Sequence, residues 1–297
     1  MRRLVLLCSV ALFAASTTLG AASFELPPLN VPASTEHHVG KIVWADLVTP
    51  DLAAAEKFYG ELFGWKFQTV RAGDTDYAVA TLDGRAIGGL MQKPFAGGQH
   101  QQSAWLTFIA VRDVDSAKRT ALAHKGKILV DSRTYAGRGR QAILADPEGA
   151  VFAIVASSSG DSPDYLAEPG EWIWSSLHAK DAGNEAAFYQ DLFGYDVYDM
   201  ASDDGLEHVI LSTDDFARAS ANAYPDSTGH RHAHWLNFIR VQNATDMAAK
   251  AVLLGAHMLV PPHEDRHGGM VAVVADPAGA PVGLMEWSES DTKAEPK

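Results

Sequence analysis

Residues 43–65 read VWADLVTPDLAAAEKFYGELFGW, and residues 173–195 read IWSSLHAKDAGNEAAFYQDLFGY. The two stretches stand 130 residues apart, and the same offset holds for everything around them. Trp44 recurs as Trp174, Phe58-Tyr59 as Phe188-Tyr189, and Leu62-Phe63-Gly64 as Leu192-Phe193-Gly194. Further on, Trp105-Leu106 recurs as Trp235-Leu236 and Asp146-Pro147 as Asp276-Pro277. A constant offset leaves no room for a net insertion between landmarks. The chain is therefore two copies of one unit of about 120 residues, an ordinary domain size.

Each unit subdivides again. Lys41–Val48 alternates and ends at turn residues, which predicts a strand. Thr49-Pro50-Asp51 then offers a capping residue with proline at the first helical position. Leu52, Ala55, Phe58-Tyr59 and Leu62-Phe63 share one helical face, and Gly64 sits where a left-handed cap is needed. Trp65–Val70, Asp76–Leu82 and Arg85–Met91 read as three more strands. The order repeats with a strand at Ala104–Val111, a helix at Val114–His124, and strands at Ile128–Asp131, Arg140–Asp146 and Ala150–Ala156. Asp146-Pro147-Glu148-Gly149 suits a type I turn, as does its copy Asp276-Pro277-Ala278-Gly279. The chain thus holds four βαβββ modules. The expected class is α+β: each pair of modules forms a cup-shaped mixed sheet with helices on its outer face. Side chains alternating along the strands line the hollow.

The flanks carry other information. Residues 1–22 read as a secretory signal peptide: Arg2-Arg3, the apolar run Leu4–Ala15, then small residues. The run is too short to span a bilayer, and it lacks the amphipathic period of a buried N-terminal element. Cys8, the sole cysteine, lies inside the run behind Leu7, which argues against lipid attachment. Signal removal would leave no disulfide, no thiol nucleophile and no thiolate ligand. A periplasmic or secreted protein is the expectation. Residues 23–40 form a leader, either a strap or disordered. Residues 41–156 are the first domain, 157–170 a linker, 171–288 the second domain and 289–297 a polar tail. The net charge of -13 and pI near 5.3 argue against partnership with nucleic acid or with an anionic membrane surface.

The repeated segments resemble the vicinal oxygen chelate superfamily, which includes glyoxalase I, bleomycin- and fosfomycin-resistance proteins and extradiol dioxygenases. Also carrying the resemblance are AWLTFIAV (104–111) with HWLNFIRV (234–241), and LADPEGAVFAIV (144–155) with VADPAGAPVGLMEW (274–287). The resemblance implies one divalent metal in a working cup, acting as a Lewis acid on adjacent substrate oxygens. It implies His or Glu ligands from the first strand, the fourth strand, the first strand of the second module and the last strand. In this chain those positions carry Trp44 and Trp174, Leu106 and Leu236, and Ala153 and Gly283. The fourth strands, Arg85–Met91 and Asp215–Ala223, contain no Glu and only Asp215 as an acid. The expectation is therefore a small-molecule binding protein without the family's usual metal and with no other cofactor.

Strand parity assigns the concave face. In the first unit it should carry Trp44, Asp46, Leu106, Phe108, Ala153 and Val155. In the second it should carry Trp174, Ser176, His178, Leu236, Phe238, Arg240, Gly283, Met285 and Trp287. From these, with His234 added at the cup entrance, the candidate ligand-binding residues are Trp44, Asp46, Phe108, Trp174, His178, His234, Phe238, Arg240, Met285 and Trp287. The aromatics offer flat contact area, Arg240 a partner for a carboxylate or phosphate, and Asp46 an acceptor. An alternative is a metal-dependent lyase, isomerase or dioxygenase with a displaced site in the second unit. It would use His178 and His234 with a group such as His263, His267 or Glu286; His230, His232 and His234 also alternate there. A third reading fills both cups with their own side chains, leaving a structural protein. Ser157–Ser159 has no paired histidine, and Gly137-Arg138-Gly139 reads as a hairpin segment, not a phosphate loop.

Overall fold

The computed structural model describes residues 26–72, 75–93, 102–202, 204–225, 232–265 and 268–287. The expected signal peptide, the polar tail, His230 and His267 lie outside them. The first domain runs β1 (Ile42–Thr49), α1 (Leu52–Phe63), β2 (Lys66–Ala72), β3 (Thr75–Leu82), β4 (Arg85–Gln92), β5 (Ala104–Ala110), α2 (Val114–Ala123), β6 (Lys127–Tyr135), β7 (Gly139–Ala145) and β8 (Val151–Ser157). The second runs β9 (Trp172–Ala179), α3 (Ala182–Phe193), β10 (Asp196–Asp199), β11 (His208–Thr213), β12 (Phe216–Ala223), β13 (His234–Arg240), α4 (Ala244–Leu253), β14 (His257–Glu264), β15 (Met270–Ala275) and β16 (Pro281–Met285).

Each domain forms one eight-stranded mixed sheet, in the orders β2-β3-β4-β1-β5-β8-β7-β6 and β10-β11-β12-β9-β13-β16-β15-β14. Two modules join edge to edge through the antiparallel pairs β1–β5 and β9–β13. The four βαβββ modules expected from the repeat are all present. One local expectation changes. The cap of α1 is Asp51, whose carboxylate accepts from the Ala54 amide at 3.0 Å, so Pro50 stands just ahead of the helix. Asp181 does the same for α3. Aspartate, not the Thr-Pro pair, is what the copies share. Gly64 and Gly194 end these helices at φ 79 and 73, in the left-handed region.

The helices lie on one face of each sheet, and those faces pack against each other. Leu52, Ala55, Phe58, Tyr59 and Leu62 of α1 share a core with Ala244, Ala248 and Ala251 of α4. Ala117 and Ala121 of α2 likewise meet Ala182, Ala186 and Phe188 of α3. The alanines let helix axes approach closely. The helices are therefore sandwiched between the two sheets, and the cups face away from the domain interface.

The repeat landmarks themselves form that interface. Tyr59 donates to Asp276 Oδ2 at 3.1 Å and accepts from Trp105 Nε1 at 2.9 Å. Tyr189 donates to Asp146 Oδ2 at 3.0 Å and accepts from Trp235 Nε1 at 2.9 Å. Each tyrosine thus reaches the turn aspartate of the other domain. The second oxygen of each aspartate closes its own turn, as in the bonds from Gly149 and Ala150 to Asp146 Oδ1, both 2.7 Å. Burial, reinforced by the facing aspartate, pushes both tyrosine hydroxyls well above their usual range, so they stay protonated donors. At the centre, Thr107 and Asn237 occupy equivalent positions of the repeat and bond to each other at 3.0 Å, the mark of a local twofold axis.

One half of the interface carries an extra acid. Glu185 of α3 is buried and shares a hydrogen bond with Asp146. Burial, with the Asp146 charge beside it, pushes its carboxyl up to about 9. The equivalent position in the first domain is Ala55.

Two outcomes are expected. Tyr59→Phe and Tyr189→Phe each leave an indole N–H and a buried aspartate oxygen unpaired, costing about 1–3 kcal/mol in urea unfolding. The second concerns pH. Below about pH 4.5 folded and unfolded chains both hold the Glu185 proton; as pH rises towards 9 the unfolded chain releases it while the folded chain keeps it. The Glu185 contribution is thus lost across that window, at about 1.4 kcal/mol per pH unit as an upper bound. Glu185→Gln keeps the donor and flattens this part of the stability profile; an unchanged slope from pH 5 to 9 would remove the shared proton.

Candidate functional site

The two front faces use the same scaffold in different ways. In the first domain the face is closed. Asp46 Oδ1 accepts from Trp44 Nε1 at 2.7 Å and from the Tyr77 hydroxyl at 2.6 Å. Arg138, with no exposed surface, places Nη1 on Asp46 Oδ2 at 3.2 Å and Nη2 on the Tyr77 hydroxyl at 2.8 Å. Its third bond runs from Nε to the Pro27 carbonyl at 3.1 Å. The guanidinium also lies over Trp44, 5.1 Å from the ring centre. Burial opposes the Arg138 charge, but Tyr77 and Asp46 outweigh it and push its pKa up. Leu26 and Leu29 of the leader cover this network, packing with Trp44, Phe108, Tyr135 and Val155. Residues 26–29 of the leader thus lie as a strap across this face.

The second front face is built differently. Four adjacent strands place His208, Asn222, His178 and His234 in one register row. The equivalent row of the first domain is Tyr77, Met91, Val48 and Ala104. His208 is held on both ring nitrogens, by Asn222 Oδ1 at 2.9 Å and by Asp204 Oδ2 at 3.1 Å. The Ser202 hydroxyl, the Leu206 amide and His208 hold the Asp204 carboxyl down to about 2, so it faces the imidazole as an anion. His178 and His234 stack with centres 5.3 Å apart. One row deeper, Ser220 Oγ meets Ser176 Oγ at 2.9 Å, Trp174 Nε1 at 3.1 Å and Asn222 Nδ2 at 2.9 Å. The floor is Leu236, Phe238, Val271, Val273 and Met285, with Trp174 and Trp287 stacked at its side 6.3 Å apart.

The remaining expected residues lie apart from this row. Arg240 spends its Nη atoms on the carbonyls of Ala167 (2.7 Å) and Trp287 (3.1 Å), tying linker to sheet. With Pro169, Gln242, Glu286 and Trp287 it borders a cleft of about 320 Å³ at the linker end of the second sheet, away from the histidine row. Glu286 accepts from the Ala244 amide at 2.8 Å and so caps α4. His263 stands in the row of Val271, Met285 and Arg240. Arg240 is six residues beyond His234 on β13, roughly 20 Å along the strand. His178 and His234 are thus brought together, while His263 and Glu286 are not. Sequence reasoning missed Arg138, His208, Ser220 and Asn222. A signal for the first existed: Asp46 and Arg138 change together between the copies, to Ser176 and Gly268.

The metal implied by the fold can be tested against these residues. The space where a side chain on Gly283 would sit is taken by the Phe238 ring, 2.1 Å from an ideal Cβ. At Gly89 in the fourth strand, the Tyr77 hydroxyl and Asp46 Oδ1 lie 1.8 and 2.2 Å from such a Cβ. Both positions are filled by neighbours that a ligating side chain would displace. Among the described residues no three His, Cys, Asp or Glu groups are placed to hold one ion. These residues do not fit the family's metal, and no step is derived through it.

Comparison with known proteins agrees with the fold. Residues 37–154 match the Glyoxalase/Bleomycin resistance protein/Dioxygenase superfamily, and residues 174–285 match a Glyoxalase-like domain. The chain belongs to this superfamily as a tandem two-domain member. CFP32 of Mycobacterium tuberculosis, which carries the name of a glyoxylase, is 29% identical over 252 residues, covering 84% of this chain and 96% of that protein. The anthracycline biosynthesis protein DauV of Streptomyces sp. strain C5 is 27% identical, covering 84% and 94%. Among solved structures, the Mn(II)-bound glyoxalase of Novosphingobium aromaticivorans shares the fold with TM-score 0.58 and 14% identity, covering 84% and 83%. Homoprotocatechuate 2,3-dioxygenase of Brevibacterium fuscum, in complex with 3,4-dihydroxyphenylacetate, does so with TM-score 0.59 and 15% identity, covering 87% and 84%.

Asp46→Ala should cost about 3–5 kcal/mol, because it strands the Arg138 charge in a buried site. Ser176→Ala at the equivalent position of the second domain should cost about 1 kcal/mol or less, since Ser220 keeps its other partners. Paired denaturant titrations compare them; equal losses would contradict the division between a buried ion-pair cluster in the first domain and a hydroxyl network in the second.

Proposed function

We propose that the second domain is the working half and binds a small, flat molecule bearing hydrogen-bonding groups. The supporting observation is the row His208–Asn222–His178–His234, set at one end of an apolar floor where the first domain has mostly apolar residues. An apolar floor with aromatic side chains beside a polar rim is the usual composition of a small-molecule site. Trp174, Trp287 and Phe238 supply the apolar wall, and the exposed His234, with the half-buried His178 stacked on it, supplies hydrogen bonds. A neighbour captured with a dihydroxylated ring and a relative named for anthracycline biosynthesis are compatible with a hydroxylated aromatic ligand. In this reading the protein is secreted or periplasmic, on the strength of Arg2-Arg3 and the apolar run behind them. Binding proceeds without the family's usual metal, because the donor positions carry Trp174, Leu236 and Gly283, and the Phe238 ring takes the space a side chain on Gly283 would need.

Calorimetric titration with a panel of hydroxylated aromatics tests the proposal. His178→Ala and His234→Ala should each weaken binding about tenfold, near 1.4 kcal/mol, while thermal stability changes little. Val48→Ala, the first-domain counterpart of the His178 change, should leave affinity unaltered. A hit insensitive to both histidines would overturn the assignment. The alternative, a metal-dependent lyase, isomerase or dioxygenase, requires stoichiometric metal in untagged protein that is lost on His234→Ala.

A further inference from the structure

We propose that the first cup is a ligand site held shut by residues 26–36 of the same chain, and that its external ligand is an uncharged carbonyl compound with a branched aliphatic body. The strap supplies what such a ligand would supply. The Pro27 carbonyl stands in for the ligand's acceptor oxygen on Arg138 Nε, at 3.1 Å. Leu26 and Leu29, 3% and 7% exposed, stand in for its apolar body against Trp44, Phe108 and Tyr135. Charge fixes the class. The Arg138 guanidinium is already neutralised by Asp46 at 3.2 Å, so a carboxylate would bring an unbalanced charge into a fully buried site. A neutral amide, ester or ketone would not.

The strap is attached as an occupant and not woven in as a strand. Residues 26–38 contain no helix or strand. Pro27, Pro28 and Pro32 carry no N–H and cannot extend a ladder. Apart from the Pro27–Arg138 bond, the polar anchors from Ser34 and the His38 amide run to one short stretch, residues 159–161. Ser34 N reaches the Ser159 carbonyl at 2.9 Å, Ser34 Oγ the Asp161 carbonyl at 2.6 Å, and His38 N the Asp161 carboxylate at 2.8 Å. The superfamily match begins at residue 37, so the cup is part of the shared fold and the strap is an addition to it. Prolines also stiffen the strap, which lowers the ordering entropy of holding it in place. The site would open by local release of the strap, with the two sheets intact.

The test uses the full mature chain carrying Leu26→Ser and Leu29→Ser, with the capped peptide LPPLNVPASTE (residues 26–36) as probe. The variant should bind the peptide at least tenfold more tightly than the parent. Acetyl-leucine amide should compete, and 4-methylpentanoate, the anionic analogue, should not. A folded variant that binds neither neutral probe overturns the proposal, and competition by the acid equal to that of the amide overturns the ligand class. Should the variant fail to fold, amide exchange in the parent decides. The Ser34 and His38 amides should exchange at least a hundredfold faster than those of Phe108 and Ile109. Equal protection would make the strap a fixed part of the core and end the idea.

Discussion

The hydrogen bond from each helix tyrosine to the turn aspartate of the opposite domain is the constraint around which the molecule is organised. Tyr59 cannot leave Asp276, nor Tyr189 leave Asp146, without stranding a carboxylate and an indole N–H in the interior. The aspartates also close the β7–β8 and β15–β16 turns. Turn, helix and partner domain are therefore set by one group. This explains why the landmarks of the repeat are the residues they are: the Tyr of the Phe-Tyr pair, the Trp before Leu and the Asp before Pro are three parts of one relay, used twice.

With the helical faces joined back to back, each sheet keeps its other face free for divergence. The first domain filled its face with an ion pair and covered it. Asp46, Arg138 and Tyr77 satisfy one another in a site that has no room for a side chain on Gly89. The second domain has serine at the position of Asp46 and glycine at that of Arg138. There the space is lined by hydroxyls, an amide and imidazoles whose hydrogen bonds run along the sheet. The same scaffold thus holds a saturated Asp–Arg cluster in one copy and a row of imidazoles, hydroxyls and an amide in the other.

Much of this was legible from the chain alone. Period-two alternation placed Trp44, Asp46 and Phe108 on one face and Trp174, Phe238 and Met285 on its equivalent, because strand parity does not depend on tertiary contacts. The helix entry was misjudged by two residues: Thr49-Pro50 and Asp51 are each reasonable starts, and only hydrogen-bond geometry chooses. Arg240 and Glu286 looked like ligand groups but are spent on carbonyls of residues 167 and 287 and on the first turn of α4. Arg138 sat between two glycines in a hairpin, where its burial against Asp46, 92 positions earlier, leaves no local trace.

By itself the sequence determined the duplication, the four modules and the faces of the strands; only its resemblance to the superfamily marked Trp44, Leu106, Trp174 and Leu236 as standing where ligands are expected. These are local properties, written in spacing, alternation and side-chain type. Only the tertiary structure decided that the helices lie between the sheets, that the tyrosines bond across the interface, and that Leu26 and Leu29 cover the first cup. It also aligned His208, Asn222, His178 and His234 in a row, since strand register brings together residues separated by up to 56 positions. Such pairings depend on which strands become neighbours, and no local pattern along the chain carries that information.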